Sequence, residues 1–89
     1  MKVEFDSSFE KQILKLTDAN LKRKIVSTIY QVEESKKLSD ILNLKKMKGY
    51  KTFYRIKLGD YRLGFELINS NIIYFIAVAH RKDVYKKFP

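Results

Sequence analysis

Hydrophobic and polar positions along the chain change period several times, and each change marks an element. Lys2-Val3-Glu4-Phe5 alternates and predicts a short strand over 2–5. Ser7-Ser8-Phe9-Glu10 has the spacing of a capping box, which predicts a helix starting at Ser7 and running through about Leu16, with Phe9, Ile13 and Leu16 inward. Thr17 or Asp18 is the expected cap of a second helix over 19–34, where Leu21, Ile25, Ile29 and Val32 recur at helical spacing while Lys22, Arg23 and Lys24 point elsewhere. Two helices so close in sequence form an antiparallel pair. After Ser35-Lys36-Lys37 the period loosens. Leu38, Ile41, Leu42 and Leu44 are expected as a short helical turn on the core, and residues 45–51 as a basic loop.

Period two then takes over. Residues 52–58 and 61–68 alternate on either side of Gly59-Asp60 and predict a tight hairpin. Asn69-Ser70-Asn71 is a turn cluster, and residues 72–79 form a third strand, apolar on both faces and therefore central or well covered. His80 to Tyr85 leads into a last short helix. The fold class expected is α+β: a short N-terminal strand, an antiparallel helix pair, then a three-stranded antiparallel meander with a short C-terminal helix, the helices packed on one sheet face. With 89 residues and no linker or repeat, the chain is expected to form one domain over 1–89.

Alternation divides the hairpin into two faces. Tyr54, Ile56, Leu58, Tyr61, Leu63, Phe65 and Leu67 share the face expected against the helices, and Phe53, Arg55, Lys57, Arg62, Gly64 and Glu66 share the other. A two-residue loop sets Lys57 opposite Arg62, with Arg55 on the same side. Like charges opposed across strands cost roughly 0.2 to 1 kcal/mol, a penalty that a docked polyanion removes. Twist makes the uncovered face concave, and Gly64 is expected to leave backbone open to a ligand there.

Charge strengthens that picture. The chain carries +9, and residues 1–44 hold eight Lys or Arg against seven Asp or Glu, whereas residues 45–89 hold eleven against three. A basic surface so concentrated is the footprint of a nucleic-acid binder, although acidic proteins and anionic lipids are also attracted to one. Lys45, Lys46, Lys48, Lys51 and Lys82 are the candidate phosphate-steering residues, with no sequence readout implied. The absence of cysteine excludes disulfides and thiolate metal sites. No apolar run approaches the roughly 18 to 20 residues of a membrane span and no signal-peptide pattern opens the chain, so a cytoplasmic protein without membrane contact is expected.

The ordered set from Lys45-Lys46-Met47-Lys48-Gly49 through Tyr54-Arg55-Ile56-Lys57-Leu58-Gly59-Asp60-Tyr61-Arg62 to His80-Arg81-Lys82-Asp83-Val84-Tyr85 resembles the RelE toxins of type II toxin-antitoxin systems, along essentially the whole chain. The resemblance implies an endoribonuclease that enters the ribosomal decoding site and cuts messenger RNA, without metal or cofactor, by attack of a ribose 2′-hydroxyl on the adjacent phosphate. Its partners would be messenger RNA, the ribosome with its RNA, and a cognate RelB-like antitoxin, partly disordered, acidic and apolar. Arg55 and Lys57 match the family's basic pair on the first hairpin strand, Arg62 the turn arginine, and Arg81 and Tyr85 the C-terminal pair. Arg62 and Arg81 would grip phosphate oxygens, and Lys57 would transfer a proton. Tyr85 would stack on a base or orient the phosphate, with plain packing in the last turn as the alternative.

Members often carry lysine where this chain has Arg55, which leaves a base role at that position open. His80 is the possible substitute. Strand parity decides its direction: a three-residue loop at Asn69 to Asn71 pairs Arg62 with Val78 and brings His80 to the cationic face, whereas a two-residue loop pairs Arg62 with Ala77 and brings Arg81, the outcome favoured by the family match. The same fold also serves ParE-like toxins, which poison DNA gyrase by protein contact, and inactive members that only bind RNA or antitoxin.

Overall fold

The computed structural model describes residues 1–89, in the order β1 (Lys2–Phe5), α1 (Ser7–Lys15), α2 (Ala19–Glu34), a single 3₁₀ turn (Leu38–Asp40), β2 (Leu44–Lys46), β3 (Phe53–Leu58), β4 (Tyr61–Ile68), β5 (Ile72–His80) and α3 (Val84–Lys87). Both long helices begin at an aspartate. Asp18 accepts the N–H groups of Asn20 and Leu21 at 2.9 and 3.1 Å. Asp6, not Ser7, caps α1: its backbone is extended, and one carboxylate oxygen accepts the Ser8 N–H at 3.0 Å and the Ser8 hydroxyl. The other accepts the Tyr74 hydroxyl at 2.7 Å, so the cap also ties α1 to β5.

The sheet has five strands in the order β1-β5-β4-β3-β2, with β1 parallel to β5 and the other pairs antiparallel. Lys57 faces Arg62 and Leu58 faces Tyr61, as the hairpin pattern predicts. One strand was not expected. The helical turn stops at Asp40, and after Asn43, whose left-handed φ of 61° an asparagine tolerates, Leu44–Lys46 runs extended against Tyr54–Ile56. Residues 45 and 46 thus belong to an edge strand, a place where lysines discourage pairing with a further chain.

The helix-side core follows the two periodicities. Phe9, Leu21, Ile25 and Val32 of the helices are buried with Ile56, Leu63, Phe65, Ile73, Phe75 and Val78 of the sheet. The expectation that all helices pack on one face fails at α3. A second core of Met47, Ala77, Ala79, Val84 and Phe88, flanked by Phe53 and Ile76, lies against the opposite face. Its existence rests on one residue of register. Gly64 pairs with Ala77 but Phe65 pairs with Phe75, so Ile76 is an extra residue in β5. Beyond it the side chains change faces: Val78 joins the helix-side core, and Ala77 and Ala79 turn to the other.

Deleting Ile76 should leave a protein that still unfolds cooperatively in urea, because removing the extra residue closes a regular ladder in which Val78 still faces the helices and Ala77 and Ala79 still face α3. Ile76→Ala keeps the bulge and should cost only about 1 to 2 kcal/mol for a half-buried side chain.

The Asp6 cap predicts a pH dependence. The Ser8 hydroxyl, then the Tyr74 hydroxyl and the Ser8 N–H, hold its carboxyl below the ordinary 3.8. A carboxyl that binds its proton less readily when folded contributes stability that is complete above 3.8 and fades as pH falls through the lower folded value. Wild type should therefore outlast Asp6→Asn in urea at pH 6, and the gap should narrow steadily below 3.8.

Candidate functional site

On the face away from α1 and α2, the cations of three strands line a groove of about 370 Å³ formed by Asn43, Leu44, Lys45, Arg55, Lys57 and Arg62. Sheet register explains the gathering. Lys45 stands opposite Arg55 and Lys57 opposite Arg62, so two like-charged pairs share one side of adjacent strands. Asn43 had no charge to advertise it. Its carbonyl accepts the Lys57 N–H at 3.1 Å and closes the groove's edge, and an asparagine just before a strand was the available signal.

Arg62 is held by the turn below it. Its Nη1 donates to the carbonyls of Gly59 and Tyr61, both at 2.8 Å, where Gly59 takes the positive φ of 57° that the hairpin turn needs. Only one guanidinium nitrogen is thereby engaged, and the remaining N–H groups have no partner in the protein. Arg55 donates from Nη1 to the Tyr85 hydroxyl at 2.6 Å, with its guanidinium carbon 5.1 Å from the ring centroid. Tyr85 is 68 % exposed, so plain packing does not account for it. Val84 and Phe88, buried on the other side of α3, place it.

Arg81 follows β5. Its N–H donates to the Asp60 carbonyl at 2.7 Å, and its Nε lies 3.8 Å from the Asp60 carboxylate, both side chains more than half exposed. An ion pair so long and so exposed holds little and releases the guanidinium readily.

His80 is not on the cationic face. Although the Asn69 to Asn71 loop has three residues, with Ile68 opposite Ile72, the extra Ile76 reverses the parity the loop length implies. Arg62 faces Ala79, neither of the two partners expected from loop length, and His80 faces Tyr61. The imidazole packs edge-on to the Tyr61 ring at 5.4 Å between centroids, and its Nδ1 accepts the Lys82 N–H at 3.2 Å. Gly64 is not open to a ligand either, because the Phe88 ring covers it. Among the steering lysines, Lys45 lines the groove, whereas Lys46, opposite Tyr54, shares the other side of its strand. Lys48 and Lys51 lie exposed in the connection to β3, which the buried Met47 pins to the sheet, and Lys82 lies exposed in the turn before α3.

A family model described as the ParE toxin of type II toxin-antitoxin system, parDE, matches residues 3–85. The chain belongs to the RelE/ParE toxin family. It is 41 % identical over 90 residues to Toxin RelE3 of Methanocaldococcus jannaschii, covering the whole of both chains. Among solved structures it is similar to the RelB-RelE antitoxin-toxin complex of Methanococcus jannaschii, with 36 % identity, TM-score 0.78, and 97 % of this chain and 99 % of that one covered. The intact E. coli RelBE toxin-antitoxin complex follows at 26 % identity and TM-score 0.69, covering 89 % and 94 % of the two chains. The family's α+β architecture and this chain's type, a RelE-like toxin of a type II system, are thus established together.

The Arg55 to Tyr85 contact is exposed and should position more than it stabilises. A double-mutant cycle of Arg55→Ala and Tyr85→Phe in urea should return a coupling below about 1 kcal/mol. A larger coupling would mark it as a stabilising element of the fold.

Proposed function

We propose that this toxin is a metal-independent endoribonuclease that cuts messenger RNA in the ribosomal decoding site and so arrests translation. The observation that carries this is the convergence of Lys45, Arg55, Lys57 and Arg62 on one groove, with the Tyr85 hydroxyl at its edge. In the reaction a ribose 2′-hydroxyl loses its proton and its oxygen bonds to the adjacent phosphorus. The bond from phosphorus to the 5′-oxygen breaks, and that oxygen gains a proton. The products are a 2′,3′-cyclic phosphate and a free 5′-hydroxyl. The protein must hold the RNA in line, move two protons and neutralise a phosphorane with extra negative charge.

Arg62 suits the last task, since its unpaired N–H groups are fixed in place by the turn carbonyls that hold the remainder. Arg81 joins it by exchanging Asp60 for phosphate. Lys57, between Arg55 and Arg62 on the same face, transfers a proton. Tyr85 accepts from Arg55 and keeps its own hydroxyl proton to donate to a phosphate oxygen, while its exposed ring can stack on a base. Lys45, Lys46, Lys48, Lys51 and Lys82 steer phosphates of the message and ribosomal RNA. Residues 1–89 act as one toxin domain, in the cytoplasm where ribosomes are.

A RelB-like antitoxin is the second partner. The α1–α2 side offers a groove of about 430 Å³ lined mainly by Phe5, Phe9, Ile13, Leu14, Ile25 and Val26, with Glu10 and Lys22 as its charged residues. Leu14 is 81 % exposed there, which suits an apolar and acidic segment that orders on binding.

On programmed ribosomes carrying a defined message, wild type should cut at the decoding site and leave the same message intact when free. Arg62→Ala or Arg81→Ala should each slow cutting roughly 100- to 1,000-fold, the usual cost of losing one charge-stabilising donor. The matching family model bears the ParE name, which favours inhibition of DNA gyrase as the second reading. Toxicity that survives Arg81→Ala, with ribosomes uncut and gyrase inhibited, would establish it instead.

A further inference from the structure

A helix of four residues does not hold its own shape, so the placement of Tyr85 must come from what α3 rests on. It rests on a gap in the sheet. Across three strands, Arg55 faces Gly64 and Gly64 faces Ala77, a row with a long cation at one end, no side chain in the middle and a methyl group at the other. The Phe88 ring fills the gap. A Cβ at Gly64 would lie 2.6 Å from two ring carbons and 2.8 Å from a third, closer than any side-chain carbon can approach. Phe88 is wholly buried, meets Phe53 edge-on at 5.5 Å between centroids, and shares its core with Met47, which anchors the basic connection before β3.

The geometry points to Phe88, seated on Gly64, as a positioning residue for the site: the seat fixes the end of α3 against the sheet and thereby holds the Tyr85 hydroxyl on Arg55 for presentation to the RNA phosphate. The inference rests on the nuclease reading and adds to it a residue that touches no substrate. Strand β4 supplies both halves of the device, since Arg62 stands two residues from Gly64 on the same face. The native seat is filled by an aromatic ring over a bare backbone. Alanine at Gly64 removes the space, and alanine at Phe88 removes the occupant. Leucine at Phe88 is small enough to sit above an alanine at Gly64 and refill the seat.

Four variants test it: Phe88→Ala, Gly64→Ala, the double variant Gly64→Ala with Phe88→Leu, and Phe88→Ala with Tyr85→Phe. Each is assayed by cutting on programmed ribosomes and by the NMR shifts of the Arg55 guanidinium, which sense the Tyr85 ring with no RNA present. Both single variants should keep the far-ultraviolet spectrum, lose the ring-induced shift and lower the maximal cutting rate roughly 10- to 100-fold, with half-saturating ribosome concentration little changed. The Gly64→Ala, Phe88→Leu pair should regain most of the shift and the rate. Adding Tyr85→Phe to Phe88→Ala should cost nothing further, because the hydroxyl is already out of place. A folded Phe88→Ala that keeps the Arg55 shift or the wild-type rate would overturn the seat while leaving the nuclease reading intact. Losses that multiply on adding Tyr85→Phe would overturn it as well. A wild type that cuts no message would sink the nuclease reading itself, and the catalytic half of this inference with it.

Discussion

The extra residue at Ile76 is the constraint on which both faces of the sheet depend. Counting in twos from the Ile68–Ile72 pair, an unbulged β5 would send Ala77 and Ala79 toward the helices and Val78 and His80 toward the cations. The bulge exchanges them. Val78 gains the helix-side core, and two alanines are left where Val84 and Phe88 need room. The carbonyl of Ile76, at the break in the ladder, accepts the Ser8 hydroxyl at 3.2 Å, so the irregularity is tied to the start of α1. The same segment holds the Asp6 cap through Tyr74. One inserted residue therefore links the helix pair, the strand and the surface on which the last helix lies.

The other face carries a cost of known size. Two like-charged pairs, Lys45 with Arg55 and Lys57 with Arg62, lie opposite one another, and each opposes folding by roughly 0.2 to 1 kcal/mol. Against a net stability of roughly 5 to 15 kcal/mol for a domain, that is tolerable but not negligible. Local contacts offset part of it. The turn carbonyls take one end of Arg62, and the Tyr85 oxygen and ring take Arg55. No carboxylate lines the groove. The nearest acidic side chain paired to the site's cations is Asp60, outside the groove and against Arg81 only. Positive potential is thus left directed at the opening, where only an anion can neutralise it.

Much of this was legible in the residues. The helix bounds, the hairpin register and the shared side of Arg55, Lys57 and Arg62 follow from local period and a two-residue turn, both of which act over a few residues. What was not legible depends on contacts distant in sequence. A bulge leaves no mark in a run as uniformly apolar as Ile72–Ala79, and so the side of His80 could not be counted from the loop. Strand β2 was hidden because three residues are too few to show a period, and its pairing with β3 spans a connection with Met47 buried inside it. Gly64 was read as an opening because a glycine marks close approach without naming what approaches. Val84 and Phe88, four apart, were the sign of an apolar side on the last helix, and their partner alanines became available only through the bulge.

The site accordingly has two halves with different origins of order. Arg55, Lys57 and Arg62 stand on inner strands whose ladders and helix-side core hold their backbones independently of anything past residue 80. Tyr85 has no such support, and Arg81 has only the carbonyl and carboxylate of Asp60. On the nuclease reading proposed above, this first half supplies the phosphate charge of Arg62 and the proton transfer of Lys57. On the same reading the second half adds the Tyr85 hydroxyl and the Arg81 guanidinium, and theirs is the conditional placement. The small core beneath α3 therefore decides whether Tyr85 meets the cations of the inner strands, although it contains no charged or nucleophilic side chain.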